Sequence, residues 1–265
     1  MKIVACIKYS LDVSEVKVDA ATRQLRLTGT PRKLGNIDRN VLKTAASLKE
    51  AHGGTVHVVT FGPPEARNAL KEALGMNADD ATLVVEPEHA NLDTGATAEV
   101  LVAFLERMGA CDLVVCGEAS DDGFTFQVGP RVAERLGIPQ VTYARKVTIE
   151  HGYVVAERDR GDAVEVVRAP LPALLTVTEE TNTPRRPTLM DLLKARKKPL
   201  LEWSLDHLGL SREGLENASM LQLLSTEGIV VERRQVALKD RPATELANEV
   251  VDRLLQDEVL ERPGE

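Results

Sequence analysis

Short runs of aliphatic and β-branched residues alternate along the chain with longer stretches whose apolar positions recur every three or four residues. Lys2–Ile7 is the first run, apolar throughout its centre, as a strand covered on both faces requires. Over Asp38–Ala51 the positions Val41, Leu42, Ala45, Leu48 and Ala51 share one helical face, and Gly53-Gly54 closes that helix. Thr55–Thr60 reads as a second strand. Pro63–Gly75 reads as a helix with Ala66, Ala69, Leu70, Ala73 and Leu74 inward, its proline in the first turn, where a missing N–H costs nothing. Ala81–Val85 is a third strand, and Thr94–Met108 a helix with Val100, Leu101, Phe104, Leu105 and Met108 inward. Asp112–Cys116 is a fourth strand, and Gln127–Leu136 a helix closed by Gly137. This alternation requires right-handed crossovers. It predicts an α/β fold, a mostly parallel sheet with helices on both faces.

The pattern changes after Pro139. Lys146–Glu150, Tyr153–Asp159 and Ala163–Arg168 are strand-like and separated by His151-Gly152 and Arg160-Gly161-Asp162, so antiparallel strands are expected beside the parallel ones. Ala173–Thr178 reads as one more buried strand. Residues 179–198 are polar, basic and proline-bearing, with a short helical turn over Thr188–Leu193. The last stretch offers one clear helix, Thr244–Val259, with Ala247, Val250, Leu254 and Leu255 on one face. The division expected is an α/β domain over 1–199 and a C-terminal arm over 200–265, too poor in core residues to fold alone. No internal repeat is present.

Charge narrows the function. Lys and Arg number 33 against 41 Asp and Glu, a net charge of −8, which argues against general nucleic-acid binding. No apolar stretch approaches the roughly 20 residues that span a bilayer, so no membrane span is expected. The opening residues lack a signal-peptide pattern, and Cys6, Cys111 and Cys116 are an odd number among apolar neighbours. Free buried thiols and a cytoplasmic location follow as expectations, with no metal site.

In an open parallel sheet, ligands sit outside the carboxyl ends of the strands. Three loops qualify: Cys6-Ile7-Lys8, Phe61-Gly62-Pro63, and the long loop from Gly117 to Pro130. The last is rich in small residues and runs into a helix, whose N-terminus offers free N–H groups to a phosphate. Gly123 and Gly129 would permit close backbone approach, and Thr125 and Gln127 supply donors. On residue types alone, a nucleotide site and an ordinary capped loop both remain open. No Walker lysine motif, no G-x-G-x-x-G and no nucleophile motif near a histidine occurs. Asp121-Asp122 fits loop capping or a ribose contact better than metal ligation. The basic cluster, Arg185-Arg186 with Lys194-Ala195-Arg196-Lys197-Lys198, fits a solvated face or a docking patch.

Taken in order, several segments resemble the β subunits of electron-transfer flavoproteins. They are the strand ending Ile7-Lys8, Ala46-Ser47-Leu48-Lys49-Glu50, Phe61-Gly62-Pro63, and Ala73-Leu74-Gly75-Met76-Asn77-Ala78-Asp79. Asp112–Gly117, the loop Ala119–Pro130, Leu136-Gly137-Ile138-Pro139-Gln140 and the run from Thr188 to Lys198 follow. The resemblance covers residues 1–200 well and the tail loosely. It implies a heterodimer in which an α subunit carries FAD and the β subunit binds an adenine nucleotide. That nucleotide is AMP in ordinary members and a second FAD, reduced by NADH, in electron-bifurcating ones.

The positions that carry over are Cys6, Gly35, Asn36, Ile37, Asp38, Phe61, Asp121, Asp122, Gly123, Phe124, Thr125, Phe126, Gln127, Val128 and Gly129. Gly35-Asn36-Ile37 departs from the family's Asn-Pro-Phe, and the loop over 119–127 is one residue longer. Gln127-Val128-Gly129-Pro130 and the long tail are closer to the bifurcating members, so FAD in this subunit is the leading expectation and AMP the alternative. A dehydrogenase or NADH would donate, and a quinone oxidoreductase or a ferredoxin would accept. Leu189 matches the leucine that anchors a partner dehydrogenase, with Lys194, Arg196 and Lys197 beside it. The alternative from another class is a universal-stress-like nucleotide-binding module.

Overall fold

The computed structural model describes residues 1–230, 236–257 and 259–260. In chain order its elements are strand β1 (Lys2–Cys6), β2 (Tyr9–Leu11), β3 (Lys17–Val18), β4 (Leu25–Arg26), β5 (Arg32–Leu34) and helix α1 (Asn36–His52). Then come β6 (Thr55–Gly62), α2 (Arg67–Gly75), β7 (Asp80–Val85), α3 (Thr94–Met108), β8 (Leu113–Gly117) and α4 (Val128–Leu136). The remainder is β9 (Gln140–Glu150), β10 (Tyr153–Asp159), β11 (Val164–Pro170), β12 (Ala173–Val177), α5 (Leu189–Ala195), β13 (Leu200–Trp203), α6 (Arg212–Ala218) and α7 (Ala243–Gln256).

Nine strands form one sheet in the order β11-β10-β9-β12-β8-β1-β6-β7-β13. All neighbouring pairs from β9 to β13 are parallel; β10 and β11 continue the sheet antiparallel. β1 lies mid-sheet, with Ile3 and Ala5 facing one apolar cluster and Val4 and Cys6 the other. Buried positions of α1 and α2 cover the first face, and those of α3 and α4 the second, because each helix turns its apolar stripe to the sheet.

Two boundaries differ from the sequence expectation. The strand expected from Lys146 begins at Gln140. Its first residues pair in parallel with β12 and the rest antiparallel with β10, across a register shift beside Tyr143. The α/β domain also runs past residue 199. β13 extends the sheet by pairing with β7, and Leu205 and Leu215 are buried in the second cluster. Met220 and Leu221 N–H still donate to Asp93 Oδ2, and Gly228 N–H to the Arg23 carbonyl, but among the described residues the apolar core ends with α6. Beyond it Met220, Leu223, Leu224 and Ile229 are each more than 80% exposed, and α7 buries no residue. Ala247 and Val250 of that helix are exposed, and Leu254 and Leu255 are half-buried.

Candidate functional site

The strand order places the site. From β1 the chain builds outward through β6 and β7, then returns to β8 and β12 on the other side. The reversal leaves a crevice beyond the carboxyl ends of β1 and β8, because the crossovers on either side of it diverge. A cleft of about 180 Å³ occupies this position. Cys6 and Cys116, near the ends of the two strands, line it together with Phe61 from the end of β6. Thr94 and Thr97 of the first turn of α3 and the loop running to α4 line the rest.

Of the residues expected from sequence, Cys6, Asp38, Phe61, Gly123, Thr125, Phe126, Gln127 and Val128 line this cleft. The others do not. Asp121 and Asp122 fasten the loop from behind: Asn36 N–H donates to Asp121 Oδ2 at 2.9 Å, and Leu11 N–H to Asp122 Oδ2 at 3.1 Å. Gly35 is the N-cap of α1, and a side chain there would meet Asp38 Oδ2. Ile37 and Phe124 line a neighbouring depression instead. Gly129 is a correction in role. A Cβ at this position would lie 2.6 Å from Thr176 Cγ2 and 3.5 Å from Leu174 Cδ2, so its bareness lets α4 press against β12.

Charge within the cleft is arranged asymmetrically. Lys8 Nζ donates to Asp122 Oδ1 at 2.6 Å, close to Ser120. Burial works against the Asp122 charge, but Lys8 and the Leu11 N–H hold its carboxyl below the usual range. Asp38 is buried; its Oδ1 accepts Lys8 N–H at 3.1 Å, and its Oδ2 has no hydrogen-bond partner among the described residues. Burial pushes this carboxyl up to about 7, and the nearby Asp121 adds to the effect. His89 Nδ1 is likewise buried without a partner, and burial lowers the affinity of that ring for a proton. On the opposite side are donors. Gln127 Oε1 accepts from Thr94 Oγ1 at 2.9 Å and from Arg131, and among the described residues the Gln127 amide N–H groups have no partner.

A wider depression of about 860 Å³ adjoins the cleft and shares Glu118 with it. Phe124, Tyr143, Arg145, Arg158 and Arg160 line it. Phe124, Phe126 and Tyr143 all have positive φ, at 45°, 59° and 57°. That conformation is costly for bulky side chains and persists where the surroundings hold it. Their rings stand in series, 4.7 Å between the first pair of centroids and 6.0 Å between the second, and connect the depression to the cleft.

Sequence reasoning missed His89, Asp93, Thr94, Thr97 and Cys116 as cleft residues, and it named Lys8, Glu118 and Ser120 only as members of candidate loops. Asp93-Thr94 carried a signal, an N-cap directly before an apolar-periodic helix. Only the packing of α3 over the centre of the sheet brings it to the crevice. His89 carried none.

Away from the cleft, Thr188 and Asp191 form a capping box that starts α5, and Leu192 and Pro187 seat against Gly75, where a Cβ would be 3.0 Å from each. Leu189 is 74% exposed, so it is not a core contact, and Met190 is 62% exposed beside it. Lys194, Arg196 and Lys197 are exposed as well.

A profile described as "Electron transfer flavoprotein domain" matches residues 23–208. The chain is 36% identical over 247 residues to the electron transfer flavoprotein subunit beta of Thermoanaerobacterium thermosaccharolyticum, covering 93% of this chain and 87% of that one. It is 35% identical over 260 residues to the subunit of the same name in Clostridium acetobutylicum, covering 97% and 99%. It is 34% identical over 263 residues to the caffeyl-CoA reductase-Etf complex subunit CarD of Acetobacterium woodii, covering 98% and 100%.

Proposed function

The chain belongs to the electron transfer flavoprotein family, and on that premise we propose that it is the β subunit of a heterodimer that moves electrons between a dehydrogenase or NADH and a quinone- or ferredoxin-type acceptor. An adenine nucleotide sits in the cleft at the ends of β1 and β8. The free Gln127 amide and the first turn of α4 receive its phosphates, since the first turn of α3 is already capped by the Asp93 carboxylate. Asp38 lies on the other side, where its buried carboxyl offers a hydroxyl or ring nitrogen a partner, while Asp121 and Asp122 hold the loop in place behind it. The unpartnered Asp38 Oδ2 and His89 Nδ1 fit such a ligand, because each lacks a bond that a nucleotide can supply.

The adjoining depression favours FAD over AMP. A mononucleotide needs only the cleft, whereas the second half of a dinucleotide has the aromatic series and the three arginines before it. A flavin there supplies the hydride and single-electron chemistry. Phe124 and Tyr143 would hold it, with Arg145, Arg158 and Arg160 beside them. The long relatives, including a subunit of a caffeyl-CoA reductase-Etf complex, support a reductase or dehydrogenase partner. In this reading the partner docks on Leu189 and Met190 of α5, with Lys194, Arg196 and Lys197 as its charged rim. The arm beyond α6 and the helix α7 cover the α subunit, which accounts for their exposed apolar residues.

Quantifying nucleotides released from the heterodimer tests the reading. Two FAD and no AMP per heterodimer is the expected result. One FAD with one AMP would give the subunit the structural nucleotide instead, and a colourless homodimer that binds ATP alone would restore the universal-stress-like alternative.

A further inference from the structure

β1 and β8 are parallel neighbours, and their register sets Cys6 directly opposite Cys116. Both thiols point to the same face of the sheet, into the second apolar cluster, and both line the cleft. Strands in a sheet lie about 4.8 Å apart, inside the roughly 4.4–6.8 Å of Cα separation that a disulfide spans. The third cysteine, Cys111, precedes β8 and does not line the cleft.

We propose that Cys6 and Cys116 are an oxidisable dithiol on the floor of the cleft, closed to a disulfide by a peroxide and reopened by a thiol reductant. One thiolate attacks a peroxide oxygen, the O–O bond breaks and water leaves, giving a sulfenic acid. The second thiol attacks that sulfur, the S–S bond forms and a second water leaves. Two thiols are oxidised by two electrons, and one hydrogen peroxide is reduced to two waters. Contact with the Cys116 thiol and burial hold the Cys6 thiol well above its ordinary range, so closure is slow and answers sustained oxidant. In-register parallel strands hold Cβ atoms farther apart than an unstrained disulfide prefers. The bond is therefore strained and readily reduced, the property of a switch and not of a staple. Pulling the ends of β1 and β8 together narrows the cleft and weakens nucleotide binding. This last consequence rests on the nucleotide reading above; the disulfide itself does not.

The test is peroxide treatment of the assembled protein, full chain with its α subunit, followed by peptide mapping without reductant. The expected product is a peptide pair joined through Cys6 and Cys116, lost on adding dithiothreitol and absent in Cys6→Ser and Cys116→Ser. Cys111→Ser should form it unchanged. Oxidised protein should hold the nucleotide of this subunit about tenfold or more weakly than reduced protein, read as FAD released on dilution, with recovery on reduction. Both thiols intact after Cys111 has been oxidised, or Cys6 carried to a sulfinic acid without a cross-link, would overturn the pair. An unchanged release of FAD from cross-linked protein would overturn its control of the cleft. Reduced protein that binds neither AMP nor FAD would instead count against the nucleotide reading, with the cross-link still decided by mapping.

Discussion

A buried carboxyl with one oxygen unpartnered makes Asp38 the most pH-sensitive group of the cleft. Its affinity for a proton is raised by folding, to about 7 from 3.8, so the fold favours the neutral acid. The stability this contributes is in place below about pH 4 and is lost as pH rises through about 7. Asp38→Asn keeps an oxygen for Lys8 N–H and carries no charge. It should raise stability at pH 8 by on the order of a few kcal/mol and leave it little changed near pH 4, read by denaturant unfolding at both pH values. A difference that does not vary with pH would reject the assignment. Gly129 makes a different prediction from the one its place in the loop suggested. Gly129→Val should cost about 1–3 kcal/mol through the clash with Thr176, with nucleotide affinity falling only as far as folding does. Selective loss of the nucleotide in a fully stable variant would return Gly129 to the ligand. These two residues also show what was legible. Residue type announces a donor, an acid or a bare backbone, but whether Asp121 faces a ligand or the back of its own loop depends on Asn36, 85 positions away.

Among the elements, helices and buried strands were legible because burial on one or two faces writes itself into a period. Pairing is not written that way. β9 pairs in parallel with β12 on one edge and antiparallel with β10 on the other, and no period announces that choice of partners. β13, four residues long and exposed at Leu201, has no alternation to betray it. α5 was legible as a short helical turn over Thr188–Leu193, and its exposed tip carries a prediction. Leu189→Ala should slow electron transfer with the physiological dehydrogenase by about tenfold while leaving flavin content and melting temperature unchanged, since a central apolar anchor dominates a small interface. Equal loss of stability and transfer would make Leu189 a folding residue.

At the scale of the molecule, the body ends with α6 and the exposed segment beyond it lacks a core. Removing residues from Thr244 onward should weaken heterodimer association, measured by ultracentrifugation, by about tenfold or more, while the thermal transition of the body stays in place. An unaltered dissociation constant would sever α7 from the interface. The position of β1 has a consequence in time. It is made before every strand it pairs with, yet it lies between β6 and β8 and meets β8 across about 110 residues of chain. During synthesis it gains one neighbour when β6 emerges and waits for the second until β8 has followed, exposed on one edge throughout that interval. Closure of that edge completes the crevice, so the cleft comes into being at the same step as the centre of the sheet, before the arm has been translated.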